Sequence, residues 1–423
     1  MPMTLSAYDA VLKEVLLPYV RDNFPKATIL LDNMKRNAGV TPMNNEFIAP
    51  VRTSRHGGIA NLASDSSNIP TANGATYSRG TVSVKIPVST FDITRLAIDA
   101  SRSSNLAVTP ALENQAKTLA DDFGRFLNRQ LFWDGIGVVA QARQTGGSVS
   151  GTEIAIEAIG NGTGPDDSRV QDWYGTINGD GQAGDVDKYL AVGNRVGVGT
   201  GAAAVGTVAA LTGTSIQTTG TLSSAASDSI YLVDGSGAGA GTSEFTGLKA
   251  ALSSSSGAST YAGLARSVIG WTPAFGSASE ALTLDRMEQS YLTAYEFAQR
   301  TDKFVILVNK TLYRKYGNIL AAMRRVVNES DLLGGFKGLE FAAGGAVVGV
   351  FPDYDVPDGE VFILNLDTWT ICQVSDMTWD DEPGLSTMLR LQNTLSYQAV
   401  MHWFANVICL APGANGHETR KTA

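Results

Sequence analysis

Residues 47–102 constrain the fold most, because they form two long extended arms joined by a polar tip. The first arm covers residues 47–62 and the tip residues 64–80. In the second arm, apolar residues recur at a period of two, the pattern of a β-strand: Val82, Val84, Ile86 and Val88. A lone two-stranded ribbon is marginal in water. Its apolar stripe therefore needs a covering surface, and we predict that another copy of the chain supplies it.

The alternation changes phase inside the second arm, from even positions up to Val88 to odd positions at Phe91 and Ile93. One extra residue near Ser89 would produce this change as a β-bulge that bends the ribbon. Pro87 has no amide hydrogen to donate, so we also expect the ladder to be weak or open there.

The composition argues against a protein that grips nucleic acid. The chain has 423 residues with 32 Lys and Arg against 41 Asp and Glu, a formal net charge of −9, and no basic block. Affinity for nucleic acid comes mainly from neutralised phosphates, so this chain could enclose nucleic acid without binding it tightly.

Two cysteines, Cys372 and Cys409, form neither a disulfide framework nor a CxxC pair, which fits a reducing cytosol.

No signal peptide and no apolar run of membrane-spanning length is visible, so we expect a soluble protein made inside the cell.

Residues 1–46 are predicted to form an arm with one short helix over residues 6–19. A long helix is predicted over residues 109–133, with Thr109 as its cap and Gly135 as its stop.

Between Arg195 and Arg266, Gly, Ala, Ser and Thr dominate. On composition alone this segment could be a flexible linker. Residues 205–211 and 230–233 are nevertheless strand-like runs separated by turn residues, so a β-rich insertion over residues 139–267 is the favoured interpretation.

The following part alternates helices with buried-type strands and predicts a compact α+β unit. Thr283 caps its first helix, and its second helix covers residues 311–325. The predicted strands are residues 304–308, 346–351, 360–366 and 368–374. Long strands over residues 387–395 and 398–410 then close the chain.

No pattern indicates a catalytic, cofactor-binding or metal-binding site. The three histidines, His56, His402 and His417, are too scattered for metal ligation, and we read His402 as a core residue of a strand. Residues 178–185 resemble a calcium loop but lack its required Gly and Glu. The glycines near residue 199 lack the third glycine of a dinucleotide fingerprint.

The densest carboxylate group is Asp376, Asp380, Asp381 and Glu382. A divalent-cation site or an acid/base pair is conceivable. A solvated loop, or an ion-pair partner for arginine on a neighbouring copy, is favoured because carboxylates adjacent in sequence do not converge by default. The candidate inter-subunit contacts are therefore Val82, Val84, Ile86, Val88, Arg324, Arg325, Asp380, Asp381 and Glu382.

Three stretches, residues 302–309, 331–339 and 379–384, resemble the major capsid proteins of tailed bacteriophages, which have the Hong Kong 97-type capsid fold. The order of arm, ribbon, long helix, α+β domain and returning strands resembles that family too. The resemblance implies an N-terminal arm (1–46), an extended β-hairpin or E loop (47–102), a peripheral domain (103–138 and 375–412) with its spine helix (109–133), the insertion (139–267), an axial domain (268–374) and a C-terminal tail (413–423).

The resemblance implies a virion protein without enzymatic activity or cofactor. It would assemble in the host cytoplasm, as pentamers and hexamers, into an icosahedral shell around double-stranded DNA. No long scaffolding segment precedes the arm, so we expect a separate scaffolding protein, with a portal and, as an open alternative, decoration proteins. Some members crosslink a ribbon lysine to a neighbour; Lys85, the one ribbon lysine, lies away from the tip, so no crosslink is expected.

Three other interpretations stay open at this stage. An encapsulin-type shell has the same fold and encloses cargo enzymes. A β-rich receptor- or glycan-binding virion protein is supported only by residues 195–266. An enzyme would depend on Asp380 or Asp381.

Overall fold

A computed structural model describes residues 29–37, 40–43, 45–62, 64, 68–95, 109–135, 137–141, 149–155, 190, 192–198, 205–212, 215–224, 229–233, 243–253, 259–298, 303–322, 329–332, 336–343, 346–353, 355–357, 359–380, 388–391 and 394–422. The predicted helix over residues 6–19, the calcium-like loop at 178–185, Arg324, Arg325, Asp381 and Glu382 lie outside these residues. Among the described residues, no helix is both long and apolar enough to cross a membrane.

Five α-helices are described: α1 Ile29–Asn33, α2 Thr109–Phe132, α3 Leu248–Leu252, α4 Leu284–Tyr295 and α5 Lys310–Ala322. The predicted long helix is confirmed as α2. Gly135 follows it with a φ of 87°, a left-handed conformation that glycine adopts without strain. The predicted cap of α4 is also confirmed, because the Thr283 side chain accepts a hydrogen bond from the backbone N–H of Arg286. Helix α1 was not predicted.

The largest sheet has seven strands in the order β14-β26-β20-β16-β19-β18-β17. In chain order these are β14 Ala274–Gly276, β16 Phe304–Val308, β17 Glu329–Leu332, β18 Phe336–Ala343, β19 Ala346–Pro352, β20 Val361–Asn365 and β26 Gly416–Glu418. Side chains of β16 alternate between two hydrophobic clusters. Ile306 packs with α4 and α5 on one face, whereas Val305 and Leu307 join the main core on the other.

The predicted β-rich insertion forms a six-stranded sheet in the order β6-β11-β8-β9-β10-β7. Its strands are β6 Val138–Gln141, β7 Val149–Ala155, β8 Arg195–Val198, β9 Val205–Thr212, β10 Ser215–Ser224 and β11 Ser229–Leu232. Strands β9 and β11 confirm the two predicted runs. Buried Val196, Val208, Ile216 and Ile230 give this sheet a small core of its own, together with Trp133 from the end of α2.

Another sheet has four strands, three from residues 378–402 and one from residues 88–94, and β24 pairs with the other three, β22, β23 and β5. The strands are β5 Val88–Thr94, β22 Thr378–Trp379, β23 Met388–Arg390 and β24 Ser396–His402. The strand predicted over residues 387–395 is therefore only three residues long in the described part of the chain.

The remaining strands form small sheets. Strands β1 Lys35–Arg36, β21 Trp369–Gln373 and β25 Ala405–Cys409 form one, and β2 Thr41–Met43, β3 Glu46–Arg52 and β4 Tyr77–Ser83 form another. Two pairs are β12 Thr260–Tyr261 with β13 Leu264–Ala265, and β15 Glu280–Ala281 with β27 Lys421–Thr422. The expectation that β21 completes the α+β unit is wrong, because its hydrogen bonds go to β1 and β25 instead.

The expectation of a C-terminal tail over residues 413–423 is also wrong. Strand β26 lies between β14 and β20, parallel to the first and antiparallel to the second. Its His417 and Glu418 are buried, as is Asn415 just before it. This segment has no apolar pattern from which its burial could be predicted, because backbone pairing and polar contacts hold it in place.

Candidate assembly surfaces

The base of the ribbon is anchored to its own molecule. Phe47 and Ala49 of β3 and Val82 of β4 are buried, and they share a hydrophobic cluster with Cys372 of β21 and Ile408 of β25. Strands β3 and β4 pair in regular antiparallel register, with Phe47 opposite Val82. The prediction that another copy covers the even-numbered stripe is therefore wrong for Val82, whose covering surface comes from the same chain.

The expectation that the first arm reaches residue 62 and that a polar tip covers residues 64–80 is wrong, because β3 ends at Arg52 and β4 begins at Tyr77. The tip of the ribbon is therefore the segment of residues 53–76, and its described part carries large apolar side chains in solvent. Ile59 is 82% exposed and Ile69 is 80% exposed, and Leu62 is also exposed. Backbone hydrogen bonds still connect the two sides of the tip, from Thr53 N to Thr76 O at 2.9 Å and from Gly57 N to Asn73 O at 3.0 Å. The described part of the tip thus presents apolar side chains that the described part of the chain does not cover.

The rest of the predicted stripe turns outward after the ribbon ends. Val84 packs partly against the cluster at the ribbon base, whereas Ile86 and Val88 are about half exposed. Lys85 exchanges backbone hydrogen bonds with Ala405, so it lies at the base of the ribbon. Of the four stripe residues, Ile86 and Val88 are the ones whose side chains stay available to a neighbour.

The predicted β-bulge near Ser89 is wrong. Strand β5 pairs with β24 in unbroken register from Val88 opposite His402 to Thr94 opposite Ser396. The change of phase arises between Ser83 and Val88, where the chain leaves one sheet and enters another. Pro87 lies in this gap outside any strand, as expected of a residue without an amide hydrogen.

The predicted carboxylate group is not assembled into a site in the described residues. Asp376 is exposed, where it accepts a hydrogen bond from Gln373 Nε2 at 2.8 Å and lies 3.5 Å from Arg36 Nη1. Asp380 is half-buried, and its backbone N–H donates to Val400. No cluster of three or more metal-ligating side chains occurs in the part of the chain that was described. The pairing of Arg324 and Arg325 with a neighbour's Asp380, Asp381 or Glu382 stays a prediction.

Sequence reasoning missed a buried charge cluster between α3 and the seven-stranded sheet. Glu360 lies between two partners, with Oε1 2.6 Å from Lys249 Nζ and Oε2 3.1 Å from His417 Nε2. The Lys249 ammonium also lies over the Trp133 ring, 4.0 Å from its centroid, and the His417 ring stacks on Phe362. Because the three partners come from distant parts of the sequence, no local motif could reveal them.

The pKa of Glu360 indicates that this cluster has a structural role. Burial by itself raises the pKa of Glu360, but the charge of Lys249, followed by His417, outweighs it and holds that pKa below its usual value. The carboxylate is therefore ionised and fully enclosed, and no substrate could reach it. The reading of His402 as a core histidine is wrong, since His402 is half-buried and His417 is the enclosed one.

Cys372 lies in β21 and Cys409 in β25, two strands that pair with each other, and both cysteines are free. Burial raises the pKa of Cys372 and of Cys409 to about 12. At neutral pH both are protonated thiols, which are poor nucleophiles and poor metal ligands.

The chain has the fold of a viral capsid subunit. No protein-family model matches it, and neither does any curated protein sequence. A chain of the cyanophage A-1(L) capsid asymmetric unit matches with a TM-score of 0.50 and 13% identity, over 93% of this chain and 92% of that one. The predicted resemblance to phage major capsid proteins is thereby confirmed at the level of fold.

Two further solved structures have lower TM-scores. A chain from a structure of Mycobacterium phage Bobi matches with a TM-score of 0.44 and 10% identity over 94% of this chain and 92% of that chain. An encapsulin from Synechococcus elongatus PCC 7942 matches with a TM-score of 0.41 and 8% identity over 82% of this chain and 78% of that chain.

Proposed function

We propose that this chain is the major capsid protein of a tailed phage, which self-assembles as pentamers and hexamers into an icosahedral shell around double-stranded DNA. The observation that carries this proposal is the agreement of fold with the cyanophage capsid chain over nearly the full length of both chains. The net charge of −9 suits an inner wall that does not bind DNA tightly during packaging.

In this proposal the ribbon is the E loop, α2 is the spine helix of the peripheral domain, and the seven-stranded sheet with α4 and α5 is the core of the axial domain. The boundaries differ from those expected at two places. Strand β21 belongs with the peripheral part through β25, and residues 416–418 belong with the axial part through β20.

The tip of the ribbon is the proposed contact with a neighbouring subunit. Seven of the fifteen large hydrophobic side chains that are exposed in the described residues lie in or next to the ribbon, between Met43 and Val88, and three of these, Ile59, Leu62 and Ile69, lie on its tip. An apolar surface concentrated on one projecting element is typical of a protein–protein contact. Assembly would bury Ile59 and Ile69, which their own molecule leaves in solvent.

The test is to purify the full chain and follow its assembly by light scattering and electron microscopy. We expect closed shells for the natural sequence and free subunits for the double variant Ile59→Asp with Ile69→Asp. The control variant is Thr71→Asp with Ala72→Asp, which adds the same charge to the tip at exposed positions that are not large and apolar.

A natural chain that stays monomeric under all assembly conditions would overturn the proposed function. Particles purified with nuclease-protected double-stranded DNA would support the phage assignment. Particles filled with a folded enzyme would support an encapsulin-type shell instead.

A further inference from the structure

Helices α4 and α5 pack on the same face of the seven-stranded sheet. Met287 and Tyr291 of α4 share one hydrophobic cluster with Leu312 and Tyr316 of α5, and Ile306 of β16 lies beneath both helices. The opposite side of each helix therefore points away from the sheet. These two outer faces carry charges of opposite sign.

The outer face of α4 is acidic. Asp285, Glu288 and Glu296 are exposed. At about 100° per residue, Asp285 and Glu296, which directly follows the helix, fall on the side opposite the buried Met287, and Glu288 lies on the flank next to them. None of the three carboxylates has an ion pair or side-chain hydrogen bond within the described part of the chain.

The outer face of α5 is basic. Lys310 and Arg314 are exposed and separated by one helical turn, and Lys315 is half-buried beside them. As far as the chain is described, these three cations also lack an ion-pair partner.

This arrangement does not favour the isolated helices. A helix N-terminus carries partial positive charge and its C-terminus partial negative charge, yet Lys310 begins α5 and Glu296 ends α4. Lys310 and Arg314 also repel each other, because residues four apart are neighbours on a helix. Asp285 in the first turn of α4 is well placed for its own helix, but Glu296, Lys310 and Arg314 are not. These three charges are better placed to meet an opposite charge from elsewhere.

The acidic face is also partly apolar. Leu292 is 41% exposed, Tyr295 is 39% exposed and Phe297, just after the helix, is 43% exposed. Leu292 and Tyr295 lie on the same side of α4 as Glu288. Large apolar side chains next to one another on a charged face favour an interface, because buried aromatic and aliphatic residues supply much of the binding energy there.

We infer that the outer face of α4 on one copy packs against the outer face of α5 on a second copy, with Glu288 and Glu296 opposite Lys310 and Arg314. This inference rests on the proposed function, because it names surfaces through which subunits of the shell meet. Two different and complementary patches on one chain are what a head-to-tail ring of identical subunits requires. Opposite charges would also set the register of the contact and speed the encounter.

The test uses charge reversal in the full chain. One variant carries Glu288→Lys and Glu296→Lys on α4, and a second carries Lys310→Glu and Arg314→Glu on α5. Each places like charges across the contact, so we expect the subunit concentration needed for half-assembly to rise by about tenfold or more. A third variant combines all four substitutions, which keeps the net charge and restores opposite signs, and it should assemble like the natural chain.

The matched control reverses two exposed acids away from both helices, Asp92→Lys and Asp122→Lys, and so changes the net charge as much as the α4 variant does. Circular dichroism and thermal unfolding of all variants check that the subunit stays folded. Normal assembly of both two-site variants, or failure of the combined variant to recover, would overturn this inference while the natural chain still forms shells. Failure of the natural chain itself to assemble would count against the proposed function.

Discussion

The tip of the ribbon and the segment of residues 412–422 are opposites: the tip carries large apolar side chains that are exposed, whereas the segment is polar and mostly buried. The tip has large apolar side chains, among them Ile59 and Ile69, and leaves them in solvent. The segment 412–422 has no large aliphatic residue, yet most of it is buried within and beside the seven-stranded sheet.

The difference shows that burial here follows the available partners rather than the hydrophobicity of the segment itself. Asn415 accepts hydrogen bonds from Trp369 Nε1 at 2.9 Å and from the backbone N–H of Asn365 at 2.8 Å. Glu418 lies 3.0 Å from Arg286 Nε and 3.2 Å from Lys421 Nζ. Most of the polar side chains of this segment have partners inside the molecule, whereas the apolar side chains of Ile59 and Ile69 on the tip stay in solvent. In the proposed shell a second molecule would cover the tip, whereas the segment 412–422 is already buried by its own chain.

The largest effect on subunit stability is expected from Glu360→Ala, which removes the carboxylate that pairs with His417 of this segment. Lys249 would stay buried without its counter-charge, and such a loss destabilises a protein by roughly 3–5 kcal/mol. Urea unfolding of the unassembled subunit measures the change. The tip provides the control, because Ile59→Ala at an exposed site should change the free energy of unfolding by less than about 0.5 kcal/mol. Equal stability of the two variants would show that the cluster does not hold the segment in place.

Within the ribbon itself, Val82→Ala should destabilise the subunit much more than Ile86→Ala. Val82 is buried in the cluster at the base, so removing two methyl groups should cost about 2 kcal/mol. Ile86 is half exposed, so its truncation should stay within about 0.5 kcal/mol although it removes more atoms. The same unfolding measurement compares them, and a larger effect at Ile86 would contradict the assignment of base and exposed stripe.

Periodicity predicted the elements whose burial is decided locally. The long helix, the capped start of α4 and the buried strand β16 all followed from residues within one or two turns of each other. Contacts between distant residues could not be predicted in this way. The change of sheet between Ser83 and Val88 depends on where β24 lies, and the burial of His417 depends on Glu360 and Lys249.

For the candidate inter-subunit contacts, too, the sequence predicts local patterns but not the contacts between distant residues. Alternation marked Val82 to Val88 as one apolar stripe, but the chain changes sheets within it, so only the tertiary structure tells which members are already covered. The opposite charges of α4 and α5 were visible in the sequence. Their significance was not, because it depends on both helices packing on one face of the same sheet.

A smaller effect on the buried segment should follow from pH. The folded-state pKa of Glu360 is lowered, so its contribution to stability is complete above the unfolded value of about 4.3 and is lost as the pH falls through the lower, folded value. The stability advantage of the natural chain over Glu360→Gln should therefore shrink as the pH is lowered below about 4.3. Urea unfolding at a series of pH values measures it, and an advantage that grows on acidification would contradict the lowered pKa.

The smallest effect, close to none, is expected from thiol reagents on the folded subunit. Burial raises the pKa of Cys372 and Cys409 to about 12, so at pH 8 each is both enclosed and protonated. A cysteine placed in the tip by Ala72→Cys should instead react at once, because that position is exposed. Labelling followed by mass spectrometry should find one modified residue in the folded variant and three after unfolding in urea. Rapid labelling of Cys372 in the folded protein would mean that the base of the ribbon opens as readily as its tip, and the contrast between an anchored base and an uncovered tip would then be lost.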